Sequence, residues 1–287
     1  MLSRLRLKPL DPLPSTILEH LVGHFAHVPE AEWRERMRAG KVMLDDGTAI
    51  DESTPYRVDL LVLYSREVSD EKEFAGRESI VFRDGNIIVV DKPHGIPVVP
   101  SGRVVNESLL RRVIASTGIA ELSPVHRLDR ETAGLVVFAI RRESRGAYQK
   151  LFADRTIERE YRAVARVDRM PEVRHWTLST RLDVEEPWFR MRIVDGEPNA
   201  ETEIELLETR GGRGLFALRP RSGKKHQLRI HMASIGYPIE NDPYYPVLLD
   251  DRYDLDPPMQ LLASRLAFID PVTGREMEFR SGLRLDF

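Results

Sequence analysis

Two short stretches of this chain concentrate residues that can do chemistry. The first is His126-Arg127-Leu128-Asp129-Arg130-Glu131, which runs straight into the apolar run Leu135 to Ile140. That run reads as a buried strand. Asp129, at its entrance, has two readings. It is a turn or cap residue, or it is a carboxylate kept charged by a nearby cation, because opposite charge favours ionisation. Arg127, Arg130 and the distant Arg229 are the candidate partners. The second stretch is RSGKKHQLRIH, Arg221 to His231, with Arg221, Lys224, Lys225 and Arg229, two histidines and no acid. A lysine-rich loop opening a helix suits phosphate, because the helix N-terminus adds unpaired N–H groups. A solvated charge run is the other reading.

His126, Asp129, His226 and His231 also raise the question of a divalent metal. Their spacing matches neither His-Glu-x-x-His nor a closed zinc pattern, so no metal site is expected. The chain has no cysteine, which excludes disulfides, thiolate nucleophiles and cysteine-ligated zinc. With 41% hydrophobic and 31% charged residues it has an ordinary globular composition. Its net charge of -3 does not advertise a nucleic-acid binder, so any such surface must be local, and Arg221 to His231 is the local candidate. The N-terminus lacks a continuous apolar signal segment, and no stretch approaches the roughly 18 apolar residues of a membrane helix. These features predict a cytoplasmic protein without a membrane partner.

The elements that must position these residues follow from periodicity. Residues 1–75 predict a small α/β module. It comprises a helix opening at Ser15 or Thr16, a second from Pro29 to Gly40, and strands in KVMLDDGTAID and YRVDLLVLYSREV. From residue 76 the pattern changes. SIVFRDGNIIVVDKP predicts two strands around an Asp-Gly turn. NESLLRRVIASTG predicts a helix capped by Asn106 and stopped by Gly118, and RRESRGAYQKLFADR a helix burying Ala147, Leu151 and Phe152. TIEREYRAVARVD alternates so that Tyr161 points inward. On that evidence alone Tyr161 is a packed strand tyrosine. AETEIELLETRGGRGLFALRPR predicts a hairpin, and SGKKHQLRIHMASIG a loop opening a helix. Hairpin strands with inserted helices predict an α+β fold with a mixed, mainly antiparallel sheet.

In this order the motifs resemble those of RluA-type RNA pseudouridine synthases. VVDKPHGIPVVPSG is similar to that family's D-K-P-x-G-x-x-V-x-P segment, and HRLDRETAGL resembles H-R-L-D-x-x-T-S-G. REYRAV resembles the K-x-Y-x-A strand. SGKKHQLRIHMASIGYPIENDPYY resembles T-G-R-x-H-Q-I-R-x-H followed by G-x-P-I-x-G-D-x-x-Y, and LLASRLAF the closing L-H-A-x-x-L-x-F. The resemblance covers residues 78 to 287. Ala133, Arg159, Lys224, Asn241 and Leu262 replace the family's serine, lysine, arginine, glycine and histidine. In the first module, AEWRERMRAGKVMLDDG resembles the αL-type RNA-binding domain of small-subunit ribosomal proteins, with Asp45 or Asp46 for asparagine and few basic residues.

The resemblance implies a pseudouridine synthase fold with a central RNA-binding cleft over residues 76–287, beside the module of residues 1–75. It implies an isomerase, monomeric, that acts on ribosomal or transfer RNA. The bond between ribose and the uracil nitrogen breaks, the ring turns, and carbon 5 joins the ribose. No metal or cofactor is needed. By the same resemblance Asp129 is the essential carboxylate, either nucleophile or base for a glycal-like route. Arg229 is the cation that pairs with it and keeps it ionised, and Tyr161 packs against the uracil and assists proton removal from carbon 5. A stacked uridine must be flipped out to react, and Arg127 is expected to fill the vacated space or to hold the flipped nucleotide. Lys92, His126, Lys224, Lys225, His226 and His231 are the expected RNA contacts. A non-catalytic RNA-binding or assembly factor on the same scaffold, and a metal-dependent hydrolase, are the alternatives.

Overall fold

The computed structural model describes residues 2–25, 28–65, 71, 73–102, 104–187, 189–249 and 256–287. The chain forms two compact units, Met1–Ser69 and Asp70–Phe287, a division somewhat earlier than the 75/76 boundary expected from sequence. None of the described helices is long and apolar enough to cross a membrane.

The first unit contains β1 (Leu2–Arg6), α1 (Ile17–His24), α2 (Glu30–Arg38), β2 (Val42–Leu44) and β3 (Leu61–Ser65). The strands form an antiparallel sheet in the order β1-β3-β2. Thr16 is the N-cap of α1, its Oγ1 accepting from the Glu19 N–H at 3.1 Å. Ile17, Leu21, Trp33 and Val62 form a buried core of this unit's own. Strand β1 has no counterpart in the sequence expectations, because LSRLR carries no turn signal and too few apolar residues.

The second unit contains β4 (Ser79–Arg83), β5 (Ile87–Lys92), α3 (Leu109–Thr117), β6 (Ser123–Pro124), β7 (Ala133–Ala139), α4 (Arg142–Ala153) and β8 (Glu158–Arg166). It continues with β9 (His175–Val184), β10 (Met191–Val194), β11 (Ala200–Arg210), β12 (Arg213–Pro220), α5 (Gln227–Ser234), β13 (Leu261–Ile269) and β14 (Glu276–Arg280). All its strands join one sheet in the order β10-β9-β11-β12-β8-β13-β7-β5-β4, with β14 on β13 and β6 on β7. Every pairing is antiparallel except β7 with β13. The fold is therefore α+β on a mixed, mostly antiparallel sheet.

Local sequence explains the parts that carry the site. Every residue of β7, AGLVVFA, is buried, as a strand covered on both faces requires. Leu135 and Val137 pack with Tyr148 of α4 on one face, and Val136 and Phe138 with Val113 of α3 on the other. Strand β8 alternates, so Tyr161, Ala163 and Ala165 face the core while Glu160 and Arg162 do not.

Two details differ from expectation. The N-cap of α3 is Ser108, not Asn106; its hydroxyl bonds the Val105 carbonyl, while Gly118 ends the helix at φ 72° as anticipated. Helix α4 buries Tyr148, whose hydroxyl donates to Asp270 Oδ2 at 2.8 Å, rather than Ala147. Leu151 and Phe152 are partly buried.

Candidate active site

The loop from His126 to Gly134 enters β7 where that strand meets β13 in the single parallel pairing. The two backbones approach closely there. Gly134 has φ 110°, and a Cβ on it would lie 2.3 Å from the Ala263 carbonyl oxygen. Only glycine fits both constraints. The loop is then hung from its surroundings. His126 Nε2 accepts from the Val137 N–H at 3.1 Å, and its ring stacks on Phe152 at 4.4 Å. The Thr132 N–H closes a turn onto the Asp129 carbonyl at 3.2 Å. Lys92 Nζ donates to the carbonyls of Pro93, Ile96 and Arg130 at 3.0, 2.8 and 3.1 Å. The Gly95 N–H also reaches Arg130 O, and His94 Nδ1 bonds Glu131 O at 2.7 Å. Residues 92–95, Lys-Pro-His-Gly, are thus the loop's scaffold.

Helix α5 forms the facing wall. At its start His226 takes a left-handed φ of 55°, with Nδ1 3.0 Å from the Tyr245 hydroxyl and its ring stacked on Tyr244. Buried Gln227 organises the basic loop before it. Its Oε1 accepts from Ser222 Oγ at 2.8 Å and the Lys224 N–H at 3.0 Å, and its Nε2 donates to Glu201 O and Thr202 Oγ1.

Arg229 is the hub. Its Nε and Nη2 form a fork on Asp242, at 2.8 and 2.6 Å. Its Nη1 points the other way, 3.2 Å from Asp129 Oδ2 and 3.4 Å from Glu131 Oε2. The rings of Tyr244 and Tyr245 lie 4.7 and 5.6 Å from its guanidinium carbon. Burial works against the guanidinium's charge, but Asp242, Asp129 and Glu131 together outweigh it and hold its pKa above the ordinary value. Asp242 is itself fixed, its Oδ1 accepting from the N–H groups of Tyr244 and Tyr245. Just before it, Asn241 occupies a left-handed φ of 60°, a region asparagine tolerates better than most residues. The family's glycine is replaced there without losing access to that backbone region.

Asp129, Tyr161, Arg229, Arg127, Lys224 and His226 line one cleft of about 110 Å³. Lys225 is exposed and feels the charges of both Asp129 and Arg229. Burial pushes the Tyr161 hydroxyl pKa up; Arg159 opposes this and Asp129 adds to it. Tyr161 is therefore a neutral phenol.

Three expected RNA contacts are corrected by the geometry. Lys92 is fully buried, and all its donor capacity goes to the three carbonyls; burial pulls its pKa down to about 7, against the pull of Glu131 and Asp129. His231 is fully buried between Thr180 Oγ1 at 2.9 Å and Thr202 Oγ1 at 2.8 Å, and burial lowers its pKa to about 4. His126 spends its Nε2 on β7, and burial, then the charge of Arg159, lowers its pKa to about 3. None of the three presents charge to a phosphate. Among the described residues no three potential ligands converge on a metal position. Arg130 does not serve Asp129 either; its Nε bonds Glu131 at 3.2 Å.

Sequence reasoning gives no role to Glu131 or Asp242. Asp242 lies 13 residues beyond Arg229, in a segment matched only as a motif. The usable signal is a lone aspartate among prolines and tyrosines, beside a helix whose arginine needs a buried anion.

Comparison with known proteins gives a consistent result. Residues 86–234 match the family model described as RNA pseudouridylate synthase. The chain is 31% identical over 207 residues to the dual-specificity RNA pseudouridine synthase RluA of Salmonella typhi, covering 70% of this chain and 91% of that protein. It is 29% identical over 222 residues to the ribosomal large subunit pseudouridine synthase D of Zymomonas mobilis, covering 72% and 69%. Among solved structures, the human RNA pseudouridylate synthase domain containing 1 is similar in fold, with a TM-score of 0.60 at 22% identity, covering 74% of this chain and 86% of that one.

Proposed function

This chain belongs to the RNA pseudouridylate synthase family, as an RluA-type member, and from that premise we propose that it isomerises a specific uridine of ribosomal or transfer RNA at Asp129. The observation that carries the assignment is the half-engaged carboxylate. Arg229 takes Asp129 Oδ2, and the other carboxylate oxygen has no hydrogen-bond partner among the described residues. The Asp129 side chain is 29% exposed, at the cleft. One oxygen is held and one is open to substrate.

The reaction breaks the bond from ribose carbon 1′ to uracil N1 and makes a bond from carbon 1′ to carbon 5. N1 gains a proton and carbon 5 loses one, so no cofactor is required. The free Asp129 oxygen either attacks carbon 1′ or removes the neighbouring ribose proton to open a glycal route. Arg229, charged and immobile, stabilises the carboxylate when it is expelled again. A neutral Tyr161 supplies a ring face for the uracil and an O–H, not a phenolate base. Arg127 is exposed at the cleft and is suited to fill the space left by the flipped uridine. Lys224 and Lys225, both exposed at the start of α5, offer charge to the backbone. A monomer working in the cytoplasm fits this reading.

The N-terminal unit adds little RNA affinity in this account. Residues 1–69 hold nine Lys and Arg against eleven Asp and Glu. The arginines of α2 are occupied by carboxylates: Arg34 by Glu30 and Glu52, Arg36 by Glu32, and Arg38 by Glu52. Removing residues 1–75 is expected to leave RNA affinity within a few-fold; a much larger loss would restore an RNA-binding role to the module.

The test of the main reading is direct. Purified protein, given unmodified ribosomal and transfer RNA in the presence of a chelator, converts uridine to pseudouridine. A requirement for a divalent ion, or no conversion in either RNA, overturns it. A pseudouridine map of total RNA from cells with and without the protein identifies the position.

A further inference from the structure

Arg159 is an arginine without an anion. Several arginines of the same sheet, and Arg221 just after β12, are matched. Arg162 pairs with Glu160, Arg219 with Glu160 and Glu205, Arg221 with Glu203, and Arg265 with Glu158 and Glu278. Arg159 has no carboxylate within ion-pair distance among the described residues. Only its Nη2 is committed, to the carbonyls of Pro220 at 3.2 Å and Ser222 at 3.0 Å, and its Nε has no hydrogen-bond partner. The side chain is partly buried, with its guanidinium carbon 5.9 Å from the Phe152 ring. Partial desolvation of a cation without a counter-charge is costly, and an anion that arrives with the substrate would relieve that cost.

The position says which charge. Arg159 lines the cleft beside Asp129 and Tyr161, and it lies on the same face of β8 as Tyr161, about 6.6 Å along the strand. That is the scale of the separation between a pyrimidine ring and the phosphate of its own nucleotide. The basic turn passes close to the guanidinium: a Cβ on Gly223 would come 3.3 Å from Nη1. With Tyr161 against the uracil and Asp129 at the ribose, the group that reaches Arg159 is the nucleotide's phosphate.

We propose that Arg159 binds the backbone phosphate of the flipped target uridine and so holds that nucleotide in register with Asp129. The proposal rests on the synthase reading above. It assigns Arg159 to substrate binding and not to bond making. A structural pin for the Pro220–Ser222 carbonyls is the competing role.

The test compares Arg159→Lys, Arg159→Gln and Arg159→Ala, each checked for a normal thermal transition, on unmodified ribosomal and transfer RNA. Arg159→Gln and Arg159→Ala are expected to raise KM about tenfold to a hundredfold with kcat nearly unchanged, the effect of one charge-assisted hydrogen bond. Arg159→Lys keeps the charge and recovers most of the loss. The slope of log binding constant against log salt concentration, measured on the same RNA, falls in magnitude by about 0.7 in Arg159→Gln and not in Arg159→Lys. An unchanged slope, or a fall in kcat at constant KM, overturns the proposal and leaves the pin. If the unsubstituted protein made no pseudouridine, the synthase reading would fail, while the salt slopes would still decide whether Arg159 meets a phosphate.

Discussion

Arg229 Nη1 lies 3.2 Å from Asp129 Oδ2, although the two residues stand 100 positions apart in the chain. The sequence neighbour Arg130 points instead to Glu131. The long-range pair exists because β7, β13 and β8 are adjacent in the sheet, so the loop entering β7 faces helix α5 across the cleft. Asp242 then aims the pair. By taking Nε and Nη2 in a fork it leaves Nη1 as the one nitrogen that can turn to Asp129.

Removing Arg229 should therefore cost both fold and function. In Arg229→Ala the carboxylates of Asp242 and Glu131, 1% and 4% exposed, lose their shared cation. Breaking a buried pair in this way costs about 3–5 kcal/mol. Arg229→Lys keeps a charge but cannot form the fork and reach Asp129 together. It is expected to fold and to turn over at least about tenfold more slowly. Denaturant unfolding and a pseudouridine assay measure the two effects, and unchanged turnover in Arg229→Ala would remove it from the catalytic set.

Asp129→Asn separates chemistry from binding. The side chain is partly exposed and makes one hydrogen bond, to Arg229, so stability should change by about 1 kcal/mol or less. An amide neither attacks ribose nor abstracts its proton, and conversion should fall by on the order of a thousandfold or more. RNA affinity should hold within a few-fold. Near-normal conversion by this variant would refute the role given to Asp129.

Much of this was legible in the residues themselves. The apolar run of β7, the inward turn of Tyr161 in β8 and the glycine turn between β11 and β12 follow from periodicity and turn chemistry. Burial did not. Lys92, His126 and His231 carry the right chemistry for RNA, and nothing local distinguishes them from Lys224. Their solvent exposure is decided by which strands pack over them, a tertiary property. Glu131 and Asp242 were missed for the same reason, since a carboxylate becomes part of a site only when the fold places an arginine on it. Strands β9 and β10 lie at one end of the sheet and are largely exposed, which weakens the apolar signal by which a strand is read.

Gly134→Ala tests whether the loop's anchor sets the site. A methyl there meets the Ala263 carbonyl at 2.3 Å, in a backbone region that alanine avoids. Strain and overpacking each cost about 1–3 kcal/mol. The unfolding midpoint should fall accordingly, and activity should fall further than stability at a temperature where the variant stays folded, because Asp129 sits five residues before the clash. Full activity in a folded variant would mean that the β7–β13 junction tolerates movement without disturbing Asp129.

The buried histidines make the fold acid-sensitive. Burial is the first cause in each case, lowering His126 and His226 to about 3 and His231 to about 4, from an ordinary value of 6.5. The sign follows from proton counting. Above pH 6.5 these rings are neutral in both folded and unfolded chains and contribute no slope. Between about pH 6.5 and 4 the unfolded chain binds protons that the folded chain refuses, so stability falls as pH falls, by at most about 1.4 kcal/mol per pH unit for each ring. Below the folded values the slope ends. Urea unfolding at pH 7.5 and 5.0 should show a loss of several kcal/mol, and the ring proton signals of the three histidines should not titrate in the native protein above pH 5. A flat stability profile over that range, or a native ring titrating near 6.5, would show that these side chains are not held in the loop, helix-start and sheet contacts described for them.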